Sequence, residues 1–472
     1  MPESLVEQLD HIFKPESIAI IGASNSPGKW GHWMISQALR SDYRGRIYPI
    51  NPREKEVLGV KAYPDILDVP DDVEMAVFAV PAAIMPAVMK SCVKKGVKGG
   101  IVVSADFAET GEQGKALEIE TVRIARKGNL RLVGPNGNGI WTSAVRLSLS
   151  PNRNWMGGPL AFVSQSGTFG NLAGQVAQDR GYGLSKIVSF GNQADLTLSD
   201  YVAYLAQDDD TEVIGIYIEG FKDGRRFFDL AREVVKSKPI LIVKGGSTEY
   251  GARATLSHTA SIAGSDQIFD AMCRQAGVIR VPDVEHVIIM AEALFSQPLP
   301  SGNGVTVVGT GGQGVTTADF LGSNGIKLPE FRTADALALK KMMAPHAPIP
   351  RNPVDFASGG LRTRDMVRFI EKLVSLDYID GVITGVPMGV DEDVTSAAEK
   401  HKAAIDAVDA FSRIPEKYGK PLIALGWKTG KAVEEILKNA GIPVYNTHKD
   451  CALAMIGLTR YAAIRNRHSP TR

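Results

Sequence analysis

The stretch Ser17-Ile-Ala-Ile-Ile-Gly22-Ala-Ser-Asn-Ser-Pro-Gly28-Lys29-Trp-Gly31, continued by HWMISQALR to Arg40, decides the fold. A short β-branched run meets a loop of glycine and small polar residues, and a helical pattern follows. That order reads as strand, tight turn and helix, the opening of a βαβ unit. Outward from it, Arg46–Ile50, Met75–Val80, Gly100–Ser104 and Arg131–Gly134 repeat the strand pattern with helical stretches between them. The alternation predicts an α/β protein with mostly parallel sheets, beginning with a Rossmann-like domain over about residues 8–145.

Two further series follow. Ser148–Pro159 is rich in Pro, Asn and Gly and marks a boundary; Gln297–Gly304 marks another. Between them lie the strand-like runs Leu160–Ser164, Leu184–Ser189, Val213–Ile218 and Ile240–Val243. Beyond them lie Val305–Val308, Gly381–Thr384 and Pro421–Leu425. The two series open alike, with AFVSQSGTFGNLAGQVAQDRGYGLSK and TVVGTGGQGVTTADFLGSNGIKL. Each is a strand, a Gly/Ser/Thr turn, a helix and a glycine exit. The expectation is two related flavodoxin-like domains, 155–297 and 303–465. A chain of 472 residues accommodates three domains at roughly 100–200 residues each.

Composition narrows the function. Lys and Arg number 53 against 52 Asp and Glu, so no global basic field exists for nucleic acid or an anionic membrane. Mean hydropathy is −0.04, and the longest uncharged apolar run, Met75–Met89, is broken by Pro81 and Pro86. A soluble chain is expected, since a spanning helix needs about 20 apolar residues. The polar, acidic opening MPESLVEQLD reads as no signal peptide. Cys92, Cys273 and Cys451 are widely spaced without a CxxC pair. They predict buried thiols in a reducing cytoplasm and no cysteine metal site.

Three glycine-rich helix starts carry the chemistry. The turn Gly22–Gly31 follows Gly-x5-Gly-x2-Gly rather than GxGxxG, so it reads equally well as a phosphate site or a plain tight turn. Ser164-Gln-Ser166-Gly167-Thr168 opens the second domain, where Ser166 or Thr168 is placed to cap the helix while free N–H groups face an anion. Gly309-Thr-Gly311-Gly312-Gln-Gly314 occupies the equivalent place in the third. After the strand Ile240–Val243 comes a long segment of small and polar residues containing Arg253 and Ser257-His258-Thr259-Ala-Ser261. A neutral imidazole there is a nucleophile, and hydroxyls and an arginine suit a transferred phosphoryl group. Glu219 ends the strand Val213–Ile218, at the strand edge where open α/β sheets bind ligands, and is placed to orient His258. The acidic triplet Asp208-Asp209-Asp210 precedes a strand and reads as turn-solvating. The other histidines form no tight metal-ligand arrangement, and no metal site is expected.

IAIIGASNSPGKWG, FVSQSGTFG, LSKIVSFGNQADL, GARATLSHTASIAG and Asn352-Pro-Val-Asp355 together resemble the NDP-forming acyl-CoA synthetase superfamily, with the domain order of the α subunits of ADP-forming acetate–CoA ligases. The resemblance covers nearly the whole chain and departs from the family at Gly137, where a GPNC-like turn often carries Cys, and at Ala260, where Gly is common. It implies an acid–thiol ligase that interconverts acyl-CoA, ADP and phosphate with a carboxylic acid, CoA and ATP. It implies acyl phosphate and phosphohistidine intermediates, with His258 and Glu219 catalytic and Ser166, Gly167 and Thr168 on the phosphate. CoA would lie on Gly22, Ala23, Ser24, Pro27, Gly28, Lys29, Lys55, Val80 and Pro81. ATP or ADP and Mg2+ would sit on a separate ATP-grasp β subunit, in a hetero-oligomer whose substrate is a small carboxylic acid or its acyl-CoA. A non-catalytic CoA-binding regulator and a nicotinamide-dependent dehydrogenase are the alternative readings.

Overall fold

The computed structural model describes residues 3–150, 155–253, 265–309, 311–356, 361–387, 397–426 and 431–468. The chain divides into two compact units, residues 1–288 and 289–472. The division falls inside the helix Val284–Ser296, ahead of the Pro/Gly-rich stretch 297–304.

The first unit begins with helix α1 (Leu5–Phe13) and strand β1 (Ser17–Ile21). Helix α2 (Trp30–Arg40) leads to β2 (Arg46–Ile50), and a two-stranded hairpin, β3 (Glu56–Val57) and β4 (Val60–Lys61), precedes β5 (Met75–Phe78). Helix α3 (Met85–Lys95), β6 (Gly99–Val102), α4 (Glu112–Lys127) and β7 (Arg131–Val133) complete the series. The sheet runs β2-β1-β5-β6-β7. All its pairings are parallel, with β1 in register Ile18↔Ile47 on one side and Ile18↔Met75 on the other. Every residue of β1 and β5 is buried, as expected where helices cover both faces of a parallel sheet. Met85, Met89 and Cys92 of α3 and Ile124 and Ala125 of α4 pack in one core with Ala76, Phe78 and Leu132.

The second sheet takes β8 (Gly139–Thr142), β9 (Leu147–Ser148), β10 (Gly157–Ser164), β11 (Leu184–Ser189), β12 (Val213–Ile218), β13 (Ile240–Lys244) and β14 (Ile279–Arg280). Helices α5 (Gly167–Asp179), α6 (Leu198–Ala206) and α7 (Gly224–Val234) intervene. Its order is β14-β13-β12-β10-β11-β8-β9. Counted from β10, the five parallel strands follow the flavodoxin order 2-1-3-4-5. The β8–β9 hairpin pairs antiparallel with β11, Ile187 opposite Trp141. A first domain ending at residue 145 therefore cuts through a hairpin that belongs to the second sheet.

The two sheets form one unit because polar groups bind them. Asp195, whose side chain is fully buried, accepts from Arg126 Nε at 2.7 Å, Arg131 Nε at 3.0 Å and the Leu132 N–H at 2.8 Å. Tyr204 donates to Asp10 of α1 at 2.8 Å, and Thr142 to the Phe13 carbonyl at 2.9 Å.

In the second unit β15 (Val305–Val308), β16 (Gly381–Gly385), β17 (Leu422–Leu425) and β18 (Val444–Tyr445) run parallel in that order. Two isolated parallel bridges, Gly304↔Lys327 and Val308↔Val354, flank β15 on its other side. They stand where the second flavodoxin strand would lie, so this sheet keeps the same winding with that strand reduced to bridges. Phe369, Ile370, Leu373, Phe411 and Leu422 are the centre of its core.

The acidic triplet does more than solvate a turn. Asp209 and Asp210 are exposed, but Asp208 is buried and accepts from Lys186 Nζ of β11 at 2.6 Å. Thr211 donates to the same carboxylate, and Lys238 holds the Asp208 backbone carbonyl at 2.6 Å. Removing one partner of such a pair strands a buried charge, at a cost of about 3–5 kcal/mol. Lys186→Ala is expected to lower stability by that order in chemical denaturation of the full chain. The double replacement Lys186→Met/Asp208→Leu should recover most of the loss.

Candidate active site

The strand order of the first sheet reverses between β1 and β5, and the turn Gly22–Lys29 leaves the carboxyl end of β1 at that point. Gly22 has φ +85°, and a Cβ there would lie 2.4 Å from the Ala79 carbonyl oxygen and 2.9 Å from Val80 Cγ1. A Cβ on Gly31 would lie 1.8 Å from the Gly22 carbonyl oxygen. The chain closes this tightly only because both residues lack side chains. Ala23 and Ser24 are buried, whereas Pro27, Gly28, Lys29 and Lys55 are exposed. Gly28, at φ +86°, has open space where a Cβ would stand. Val80 and Pro81 follow β5 and complete the wall of the reversal.

Two asparagines that the sequence reading passed over hold this arrangement. Asn51 Nδ2 donates to the Ala23 carbonyl at 2.7 Å. The Asn25 side chain donates to the Glu56 carbonyl at 2.9 Å and accepts from the Leu58 N–H at 3.0 Å. The hairpin next to Lys55 is thus tied to the turn. An asparagine just after a buried strand, as Asn51 is after β2, was the available signal.

In the second sheet, α5 starts at Gly167 on Ser166, which makes no side-chain cap bond, contrary to the capping role the sequence suggested for it. Ser166 and Gly167 are half-buried and Thr168 is exposed. The Asn138 side chain occupies the space beside Gly167, where a Cβ would come within 2.1 Å of it. A Cβ on Gly137 would lie 2.2 Å from the Ser189 carbonyl, so glycine is the residue this turn accommodates.

Glu219 leaves β12 next to this turn and is buried. Gln165 Oε1 accepts from the Glu219 N–H at 2.9 Å and the Gly220 N–H at 3.3 Å. Tyr217 O–H donates to Glu219 Oε1 at 3.3 Å, and its ring stacks on Phe169 of α5 with centroids 3.9 Å apart. Burial, reinforced by the Glu219 charge, pushes the Tyr217 phenol well above its ordinary value, so it remains a donor. Gly245 leaves no room for a side chain: a Cβ would meet the Tyr217 oxygen at 2.6 Å. A cavity of about 350 Å3 beside Glu219 has Phe221, Ile268, Phe269 and Met272 as apolar walls and Lys244 and Ser265 among its polar groups. Burial lowers the Lys244 ammonium's pKa, against the pull of Asp266 at 3.8 Å. His258, with Ser257, Thr259, Ala260 and Ser261, lies outside the described residues.

The third turn is already engaged within its own unit. Gly311, at φ +52°, precedes the helix Gly312–Ser323, and its N–H donates to Asp355 at 3.1 Å. Asn352 of the same NPVD motif accepts from the Val307 N–H at 3.2 Å and donates to the Val305 carbonyl at 2.9 Å. The motif splints β15 to the turn that leaves it. Among the described residues no three His, Cys, Asp or Glu side chains converge to hold a metal ion.

A glycine turn at a sheet reversal, followed by a second sheet with an uncapped helix start beside a buried carboxylate, describes an α/β protein built to handle phosphate-bearing ligands. Comparison with known proteins narrows that class. Residues 16–142 match the family model of a CoA binding domain, and residues 157–294 match that of a succinyl-CoA ligase like flavodoxin domain. The chain is 38% identical over 460 residues to the acetate–CoA ligase [ADP-forming] II subunit alpha of Pyrococcus furiosus, covering 96% of this chain and 98% of that one. It is 34% identical to the isoform I subunit alpha of the same organism, over 98% and 99% of the two chains. An acetyl-coenzyme A synthetase 1 of Ca. Korarchaeum cryptofilum, solved in complex with phosphate and ADP, superposes with TM-score 0.85 at 32% identity over 98% and 99% of the two chains. The chain belongs to the ADP-forming acyl-CoA synthetase family.

The turn geometry makes a direct prediction. Gly31→Ala forces a collision with the Gly22 carbonyl and should weaken CoA binding by at least about tenfold in calorimetry, with a lower melting temperature. Gly28→Ala meets open space and carries only the left-handed backbone cost of about 1–2 kcal/mol, so CoA affinity should change far less.

Proposed function

We propose that this chain is the catalytic α subunit of an ADP-forming acyl-CoA synthetase that passes a phosphoryl group through His258. The observation that carries the reading is the buried Glu219, whose backbone N–H is held by Gln165 just ahead of α5, a helix start with no side-chain cap of the kind that suits phosphate. In the thioester-consuming direction, a phosphate oxygen attacks the acyl carbonyl, the C–S bond breaks and CoA leaves as thiolate. An imidazole nitrogen of His258 then attacks the phosphorus of the acyl phosphate, and the carboxylate departs with the electrons of the P–O bond. Glu219 favours the charged ring formed in that step, while Ser166, Gly167 and Thr168 face the transferring phosphate. Finally an ADP oxygen takes the phosphoryl group and the imidazole is released.

The first sheet suits CoA. Open space at Gly28 and exposed Lys29 and Lys55 surround the N-terminus of α2 at the sheet reversal, a setting for a pyrophosphate. A regulator that only bound CoA would have no use for the buried Glu219–Gln165 arrangement in another sheet. A nicotinamide enzyme is disfavoured by the Gly-x5-Gly-x2-Gly spacing.

The nucleotide and Mg2+ are assigned to an ATP-grasp β subunit, where the metal would offset phosphate charge. The separate subunit is supported by the two relatives named as α subunits, with which this chain aligns over 96% and 98% of its length. The substrate class is a small carboxylic acid: relatives carry the names acetate–CoA ligase and 4-hydroxybutyrate–CoA ligase. The reading places the enzyme in the cytoplasm, where CoA thioesters and ADP are at hand.

The purified chain should make no ATP from acetyl-CoA, phosphate and ADP until an ATP-grasp β chain is added. Robust synthesis by the single chain contradicts the assignment. In the assembled enzyme His258→Ala should abolish turnover with CoA affinity nearly unchanged, because the CoA turn lies on another sheet. Glu219→Gln should keep the melting temperature near wild type and slow turnover about tenfold or more, the order expected for a lost charge partner of a reacting group.

A further inference from the structure

Two glutamines without a role in the proposed transfer converge on the backbone of Glu219 and Gly220. Gln165, in the phosphate turn, accepts from the N–H groups of Glu219 and Gly220. Gln193, in the loop that follows β11, donates from Nε2 to the Gly220 carbonyl at 3.2 Å and accepts from the Leu198 N–H at 3.3 Å. Both are almost fully buried, each 4% exposed. Their amide orientations follow from their partners, since an N–H needs the oxygen and a carbonyl needs the nitrogen. Glu219 is therefore held through its own backbone, from two separate loops, as well as by Tyr217 at the carboxylate.

Gln193 is also bent out of its preferred conformation. Its φ is +55°, in the left-handed region that glycine occupies without penalty. Glycine would relieve the backbone but would lose the side-chain bonds. The neighbouring loop positions are held independently, by Asp195 on one side and by the Thr197 and Ser199 hydroxyls donating to Asp223 at 2.9 Å on the other. Beyond those bonds the Gln193 side chain adds the tie to Gly220 and the acceptor for the Leu198 N–H at the start of α6.

We propose that Gln165 and Gln193 are positioning residues that lock Glu219 to the phosphate turn, so that the carboxylate and the phosphate-facing N–H groups keep one fixed separation during transfer to His258. The inference rests on the His258 reading. A misplacement of about 1 Å in a catalytic group can cost about a hundredfold in rate, which makes such a clamp worth its strained backbone.

The test is the rate at which the full chain is phosphorylated by acetyl phosphate, quenched in alkali and read as acid-labile label. Gln193→Gly, which relieves the left-handed backbone but loses both side-chain bonds, should remain folded, bind CoA as wild type does, and be phosphorylated about tenfold to a hundredfold more slowly. Gln165→Met, which removes the acceptor from the other loop, should slow the same step. In a Glu219→Gln background neither change should slow it further, because the group they position has lost its charge. Wild-type rates in both glutamine variants, or losses that multiply fully with Glu219→Gln, overturn the clamp alone. Absence of acid-labile label in the wild-type chain overturns the His258 reading first and the clamp with it.

Discussion

A single buried carboxylate organises the first unit of this molecule. Asp195 accepts from two guanidinium groups and a backbone N–H at the end of the first sheet, while it sits in the loop that leaves β11 of the second. Burying one carboxylate is costly unless it is fully paired, and here three donors meet it. The loop is thereby fixed at one end to the CoA-type sheet. Two residues earlier the same loop carries Gln193, which reaches the peptide beside Glu219. The position of Glu219 is therefore tied to the first sheet through a few named bonds.

This arrangement suits a relay. Helix starts supply fixed dipoles, and fixed dipoles need no reorganisation when charge develops. In the relay proposed, Glu219 acts from a strand end where its backbone is held by Gln165. Val213–Ile218, which leads into Glu219, is wholly buried β structure.

Much of the fold was legible because parallel strands buried on both faces spell continuous apolar runs, as Ser17–Ile21 and Val213–Ile218 do. The glycine turns were legible because only glycine permits the approaches seen at Gly22 and Gly31. Membership of a sheet was less so. Gly139–Thr142 follows the first series in the chain, yet pairs with β11 and carries Leu147–Ser148 on its outer side, since chain order does not fix which edge a hairpin finds. Asp208 lies in a run of three acids, and nothing local tells that one of them turns inward to meet Lys186, some twenty residues earlier. Gln165 and Gln193 stood inside quoted motifs, but an uncharged amide has no period or charge pattern to mark it. Its role comes from which backbone it touches.

The most direct test of the account is to find where the phosphoryl group rests. The assembled enzyme is incubated with labelled ATP and digested, with its peptides mapped throughout under alkaline conditions, where a phosphoramidate survives. The account predicts one acid-labile phosphoryl group on the peptide containing His258 of this chain, released as ATP when ADP is added. Label on a serine, or a chain that stays unlabelled while turnover proceeds, would contradict it.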